Sequence, residues 1–153
     1  MEFIEKIKEI MELNKALKLY GKYYAESRKT IRQICHYYTE KKGYCLAIWG
    51  TGLKGKAFLR VIDPDLEFID CCYDIDSKKV GMSMPTGHVV EDFTRSDREK
   101  LQIILLMNSN FETETAAILE EQGIKAVLIN LDNLILGELT AKEIVTMYRE
   151  EFL

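Results

Sequence analysis

An apolar run from Tyr44 to Trp49 meets the turn Gly50-Thr51-Gly52-Leu53-Lys54-Gly55. An amphipathic stretch carrying Leu53, Ala57, Phe58, Val61 and Ile62 follows directly. A strand, a Gly-x-Gly-x-x-Gly turn and a helix in that order constrain the chain more than any other feature, because they open a dinucleotide-binding α/β unit. Gly50 permits the tight turn, Gly52 lets backbone approach a phosphate, and Gly55 lets helix and strand pack closely. The unpaired N–H groups and dipole of the new helix then face an anion. The Lys-Ser/Thr ending and four-residue spacing of a Walker loop are missing. The motif places a binding site without naming a reaction.

Downstream of Tyr44 the pattern alternates. Strands are expected near 44–49, 67–73, 102–107 and 126–130, with helices near 53–62, 95–100, 111–122 and 140–151. Asp63-Pro64-Asp65 punctuates the first helix-to-strand connection, and Gly123 closes a later helix. Such alternation implies an α/β domain, a Rossmann-like parallel sheet with helices on both faces. The polar stretch from Asp74 to Val90 is a long connection with room for a short strand at 88–90, and long loops in compact domains are often functional. Upstream, residues 1–20 and about 23–41 read as two amphipathic helices separated by Gly21, with Gly43 as the cap of the second. The expected organisation is therefore an N-terminal helical segment, 1–42, and a nucleotide-binding domain, 43–153.

At 153 residues the chain is long enough for one domain with a real core. No apolar run approaches a membrane span and no signal-peptide block opens the sequence, so a cytoplasmic protein is expected. Cys35, Cys45, Cys71 and Cys72 fit reduced thiols; without a Cys-x-x-Cys pair there is no case for zinc or thioredoxin-like chemistry. The formal charge of −4 hides an asymmetry. Residues 1–42 hold ten Lys/Arg against six Asp/Glu, a net +4; residues 43–153 hold eleven against nineteen, a net −8. The two parts can attract each other, or the helical part can meet an anionic partner. The acidic balance and the lack of any recognised module argue against nucleic acid. The apolar stripes of Ile7, Ile10, Leu17, Ile31 and Ile34 must be covered by the α/β body, by a second copy in a homodimer or by a partner enzyme.

Ligands of open α/β sheets sit beyond the carboxyl ends of the strands. Three such ends stand out here. The first is the glycine turn, where Lys54 or Lys56 can neutralise a phosphate or simply face solvent. The second is Tyr73-Asp74-Ile75-Asp76. Asp74 lies about twenty residues after the glycines, where an acid binds a ribose diol, or else it caps a turn. The third is Met107-Asn108-Ser109-Asn110, in which Asn108 and Asn110 either contact a ligand or cap the following helix. Within the 74–90 loop, Lys79 can balance a phosphate, and His88 can reach a sugar hydroxyl or phosphate oxygen or can anchor the loop. With two histidines, His36 and His88, and no carboxylate cluster, no metal site is expected.

These residues carry a resemblance. Asp74, Lys79, Gly81, Pro85 and His88 fall on Asp-x4-Lys-x-Gly-x3-Pro-x2-His, the pattern of the C-terminal domain of sugar C-methyltransferases. The Gly50 to Gly55 turn and the run Ile103 to Phe111, followed by Glu112-Thr113-Glu114, resemble two further parts of that domain, so the likeness spans roughly 44–136. The module also looks like the N-terminal nucleotide-sugar-binding domain of bacterial sugar acetyltransferases. It is similar to modules found beside glycosyltransferases in surface-polysaccharide assembly. The resemblance implies a Rossmann-like domain that holds a nucleotide-sugar. In the family, methyl transfer belongs to a separate S-adenosylmethionine-binding domain, and a 42-residue helical segment stands here in the place of the family's zinc-binding and catalytic parts.

Two function classes follow. One is an accessory module that binds a nucleotide-sugar or dinucleotide while catalysis is supplied elsewhere. The other is a small NAD(P)-dependent oxidoreductase or epimerase-type enzyme. The second lacks a Tyr-x-x-x-Lys pair placed after the cofactor fold and lacks a substrate domain, so the binding module is the preferred expectation. The sequence names no cofactor; NAD(P) fits the turn.

Overall fold

A computed structural model describes residues 2–40 and 44–134. Four parallel strands, β1 (Tyr44–Trp49), β2 (Cys71–Tyr73), β3 (Leu101–Leu106) and β4 (Ala126–Asn130), form one sheet in the order β2-β1-β3-β4. The register sets Ala47 beside Cys71 and Ile104, and Leu106 beside Asn130. β1 and β3 are buried almost throughout, which is why they read as continuous apolar runs rather than as alternating ones. The chain leaves β1 to one side for β2 and returns to the other side for β3. The gap between the carboxyl ends of β1 and β3 is therefore the switch point at which such sheets bind ligands.

Helices cover both faces. α1 (Glu2–Ala16), a π turn over Leu17–Gly21, α2 (Lys22–Glu26), α3 (Arg28–Thr39) and α4 (Leu53–Ile62) lie on one side. There Tyr24, Ile31 and Ile34 join Leu46, Ile48, Phe58 and Ile103 in one core, so the N-terminal segment shares the core of the α/β body. Arg28 and Arg32 donate to the carbonyls of Val61 and Ile62, satisfying the C-terminus of α4 at 3.0 and 2.6 Å. Tyr23 donates to Asp132 Oδ1 at 2.7 Å, tying α2 to the segment after β4. On the opposite side α5 (Glu112–Glu121) places Leu119 against Ile104 and Leu106.

Several expectations need correction. The helix does not break at Gly21. It runs on through a π turn and ends at Ser27, whose φ of −104° and ψ of 6° are non-helical. A Cβ at Gly21 would meet only Leu17 at an ordinary 3.5 Å, so no turn requires glycine there. The second strand covers 71–73, not 67–73, because the buried Asp63 carboxylate gathers the backbone N–H groups of Glu67, Phe68 and Ile69 into a turn. Residues 96–100 form no helix, and Arg95 only ends a short 3-10 turn, Phe93–Arg95. Asp92 and Asp97 accept from the N–H groups of Thr94 and Glu99 and so hold Asx turns instead. The expected strand at 88–90 is reduced to single bridges, Cys72 with Val90 and Ser83 with Val89. Gly43 and the helix expected at 140–151 lie outside the described residues.

Candidate functional site

A cleft of about 400 Å³ opens at the switch point. Its floor is the end of β1 and β3, Trp49, Leu106 and Met107. One wall is the glycine turn and the first turn of α4; the other is Phe111, Glu114, Thr115 and Ile118 of α5 and the segment before it. Tyr20 closes one end. It comes from the π turn, whose extra residue per turn redirects side chains, and Lys54 Nζ sits 5.6 Å above its ring.

The turn is built as its glycines require. Gly50 adopts φ +115°, and its N–H donates to Tyr73 O at 2.9 Å. A Cβ on Gly55 would lie 2.2 Å from Gly50 O, so only glycine lets α4 start this close to β1. Gly52 is the N-cap residue of α4, and no side chain caps the helix. The first main-chain bond of the helix is Lys56 N–H to Gly52 O at 3.0 Å. The preceding N–H groups, from Leu53 to Gly55, thus stand at a helix N-terminus without a capping side chain, beside the cleft.

Asp74 lines the cleft but is occupied by its own chain. Its Oδ2 accepts from Thr51 N–H at 2.9 Å and from Thr51 Oγ1–H at 2.6 Å; its Oδ1 accepts from Asp76 N–H at 3.0 Å. Lys79 Nζ lies 3.5 Å from Oδ2. Burial pushes the Asp74 carboxyl up. The Thr51 hydroxyl, the backbone N–H groups of Asp76 and Thr51, and Lys79 outweigh that and hold it below its ordinary range. Asp74 is therefore an anionic clamp on the glycine turn.

The structure gathers Gly50, Thr51, Gly52, Leu53, Lys54, Gly55, Asp74 and Asn108 at one cleft and leaves four of the expected residues outside it. Lys79 pairs with Asp74 from behind. Asn110 does not line the cleft; its N–H donates to Asn108 Oδ1 at 3.2 Å in the turn before α5. His88 is buried elsewhere, with Nε2 2.9 Å from Asp63 Oδ2 and Nδ1 against the Thr86 hydroxyl. Lys56 turns away to Glu12 of α1. Sequence reasoning missed Tyr20, Met107 and the α5 wall. Their only signal was position, at a strand end and two helix faces.

Among the described residues no group of three or more His, Cys, Asp or Glu is placed to hold a metal ion, and no helix is long and apolar enough to cross a membrane. The titratable groups that reach the cleft are Tyr20, Lys54, Asp74 and Glu114. No family model matches the chain, and no curated protein or solved structure matches it. The arrangement sets a helix N-terminus without a capping side chain beside a mostly apolar slot.

Proposed function

We propose that the chain is a nucleotide-binding module that holds an activated sugar, a nucleotide-sugar, with the chemistry supplied by a separate catalytic domain or partner chain. The observation that supports this most directly is the glycine turn at the switch point. Its helix N-terminus lacks a side-chain cap and adjoins a mostly apolar slot large enough for a planar ring. In this reading the diphosphate lies along the backbone from Gly52 to Gly55 with Lys54 alongside. A base or sugar ring rests between Trp49, Met107 and α5, and Asn108 supplies an amide. Activated-sugar or surface-polysaccharide metabolism is the setting that the sequence resemblance suggests.

The dinucleotide alternative, NAD(P), fits the turn less well. The acid that would take its ribose diol is already engaged by Thr51 and Asp76. The two ligand classes separate in a thermal-shift panel of NAD(P)H, coenzyme A, S-adenosylmethionine and UDP-, GDP-, CDP- and dTDP-sugars. One nucleotide-sugar series is expected to raise the melting temperature, and a response to NAD(P)H alone would replace this reading with the oxidoreductase one.

Gly52→Val localises the ligand. A Cβ there meets nothing within 4 Å, so the fold is retained, but the branched side chain fills the approach to the free N–H groups. Affinity for the ligand found in the panel should fall by roughly a hundredfold, equivalent to about 2.7 kcal/mol. Unchanged titration of that variant would remove the phosphate from this turn.

A further inference from the structure

We propose that α1 of one copy docks into an open groove on the sheet of a second copy, so that the chain self-associates head to tail. The proposal does not rest on the nucleotide reading.

α1 buries little of itself against its own body. Phe3, Ile4, Ile7, Ile10 and Met11 are 40–74% exposed. At about 100° per residue they share one face of the helix, an arc of about 120°. The opposite face carries Glu9, Glu12 and Ala16. Ala16 is fully buried, and Glu12 pairs with Lys56 of α4. The side chains flanking the apolar face are Lys6, Lys8 and Lys15. The helix thus offers an apolar stripe with a cationic rim and no partner among the described residues.

Among the described residues, the part of the α5-side sheet face over β1 and β2 carries no helix. α4 and the N-terminal helices cover one side, and α5 covers β3 and β4 on the other. The connection from β2 to β3 would normally lay a crossover helix over β1 and β2, but its only helical turns are three residues long. What remains is a groove of about 850 Å³ with Cys45, Cys71 and Tyr73 on its floor. The cysteine sulfurs lie 3.5 Å apart as free thiols. Its rim carries Asp70, Glu91, Asp92 and Asp97 against two cations, Arg95 and Lys100.

Stripe and groove complement each other in the sign of their rims. Each is what the other lacks: an amphipathic helix with a lysine rim, and a helix-sized gap with an acidic rim. They cannot meet within one chain, because α1 is held on the α4 side of the sheet and the groove lies on the other. The occupant is therefore the helix of a second copy. Pairing α1 with its own symmetry mate is disfavoured, because it would set lysine rim against lysine rim.

Two variants, separately and mixed, test this in sedimentation velocity at about 100 µM. Ile7→Glu spoils the helix, and the double variant Glu91→Lys with Asp97→Lys reverses the groove rim. All three positions are exposed, so circular dichroism should match the wild type, with a small fall in melting temperature where Asp97 no longer accepts from Glu99 N–H. The wild type should sediment as a species of at least twice the 17.7 kDa chain, and each variant alone as a monomer. Mixed one to one, the variants should recover a dimer, since one still offers a groove and the other a helix. A monomeric wild type overturns the proposal, including the case in which residues 135–153 of the same chain fill the groove. So does a groove variant that still self-associates, which would point to helix-to-helix pairing, or a mixture that stays monomeric.

Discussion

Asp63→Ala should lower stability by at least about 3 kcal/mol, because it leaves four buried hydrogen-bond donors without their acceptor. Asp63 has no solvent exposure and accepts four bonds. Its Oδ1 takes the N–H groups of Glu67 and Phe68 at 2.7 and 3.1 Å, and its Oδ2 takes Ile69 N–H and His88 Nε2, both at 2.9 Å. Because the carboxylate can only accept, His88 presents Nε2–H to it. Alanine would orphan three backbone donors and a ring N–H in the interior, and each buried unsatisfied donor alone costs about 1–3 kcal/mol. The loss should appear as a fall in melting temperature of roughly 10 °C or more.

The same carboxyl sets an acid limb. Burial raises it, but His88 and the backbone N–H groups of Ile69, Glu67 and Phe68 prevail and hold it below the ordinary aspartate range. Its contribution is therefore present above that range and is lost as pH falls through the lowered folded-state value. Asp63→Asn keeps two lone pairs and the shape of the side chain. It should lose less at neutral pH than Asp63→Ala and should flatten the decline of stability below about pH 4. A wild-type melting temperature that stays constant from neutral pH down to about 3 would show that Asp63 does not carry the limb.

This buried pair also marks where sequence reading stops. β1, the glycine turn and α4 were legible because their signals are contiguous: an apolar run, three glycines at fixed spacing and a helical period. The expectation held to the residue, with β1 ending at Trp49 and α4 spanning Leu53–Ile62. That the sheet is parallel followed from alternation; its strand order did not. The partners of Asp63, Asp74 and His88 did not. Asp74 meets Thr51 across 23 residues and His88 meets Asp63 across 25, distances over which a single sequence shows no pairing. Asp63 looked like a turn residue beside Pro64, and its long-range role had no local sign. The helix expected at 95–100 failed for a local reason that was readable: Asp92 and Asp97 compete for backbone N–H groups. For the cleft, sequence located the wall made by the glycine turn. The α5 wall and Tyr20 required the crossing of α4, the π turn and β3, which only the folded chain supplies.

Gly55→Ala should destabilise the protein, although alanine in a helix ordinarily stabilises it. Relative to glycine, alanine gains about 1 kcal/mol of helix propensity. At Gly55 the new Cβ would stand 2.2 Å from Gly50 O and 3.1 Å from Gly50 C, both backbone atoms. No flexible side chain can yield there. Relief requires moving the start of α4 away from β1 or bending the turn at Gly50, whose φ of +115° and bond to Tyr73 O fix it in place. Backbone shifts from overpacking cost about 1–3 kcal/mol and occasionally more, and a backbone oxygen at this distance belongs at the upper end. The clash therefore wins, and a net loss of about 2 kcal/mol is expected from the difference between the two terms. Gly21→Ala is the internal control. It also sits in helical backbone, its Cβ would touch only Leu17 at 3.5 and 3.6 Å, and it should gain stability of up to about 1 kcal/mol. Urea melts of the two alanine variants should thus shift in opposite directions. A gain in stability for Gly55→Ala as well would mean that α4 can retreat from β1, and the close approach at the glycine turn would not be a fixed property of the fold.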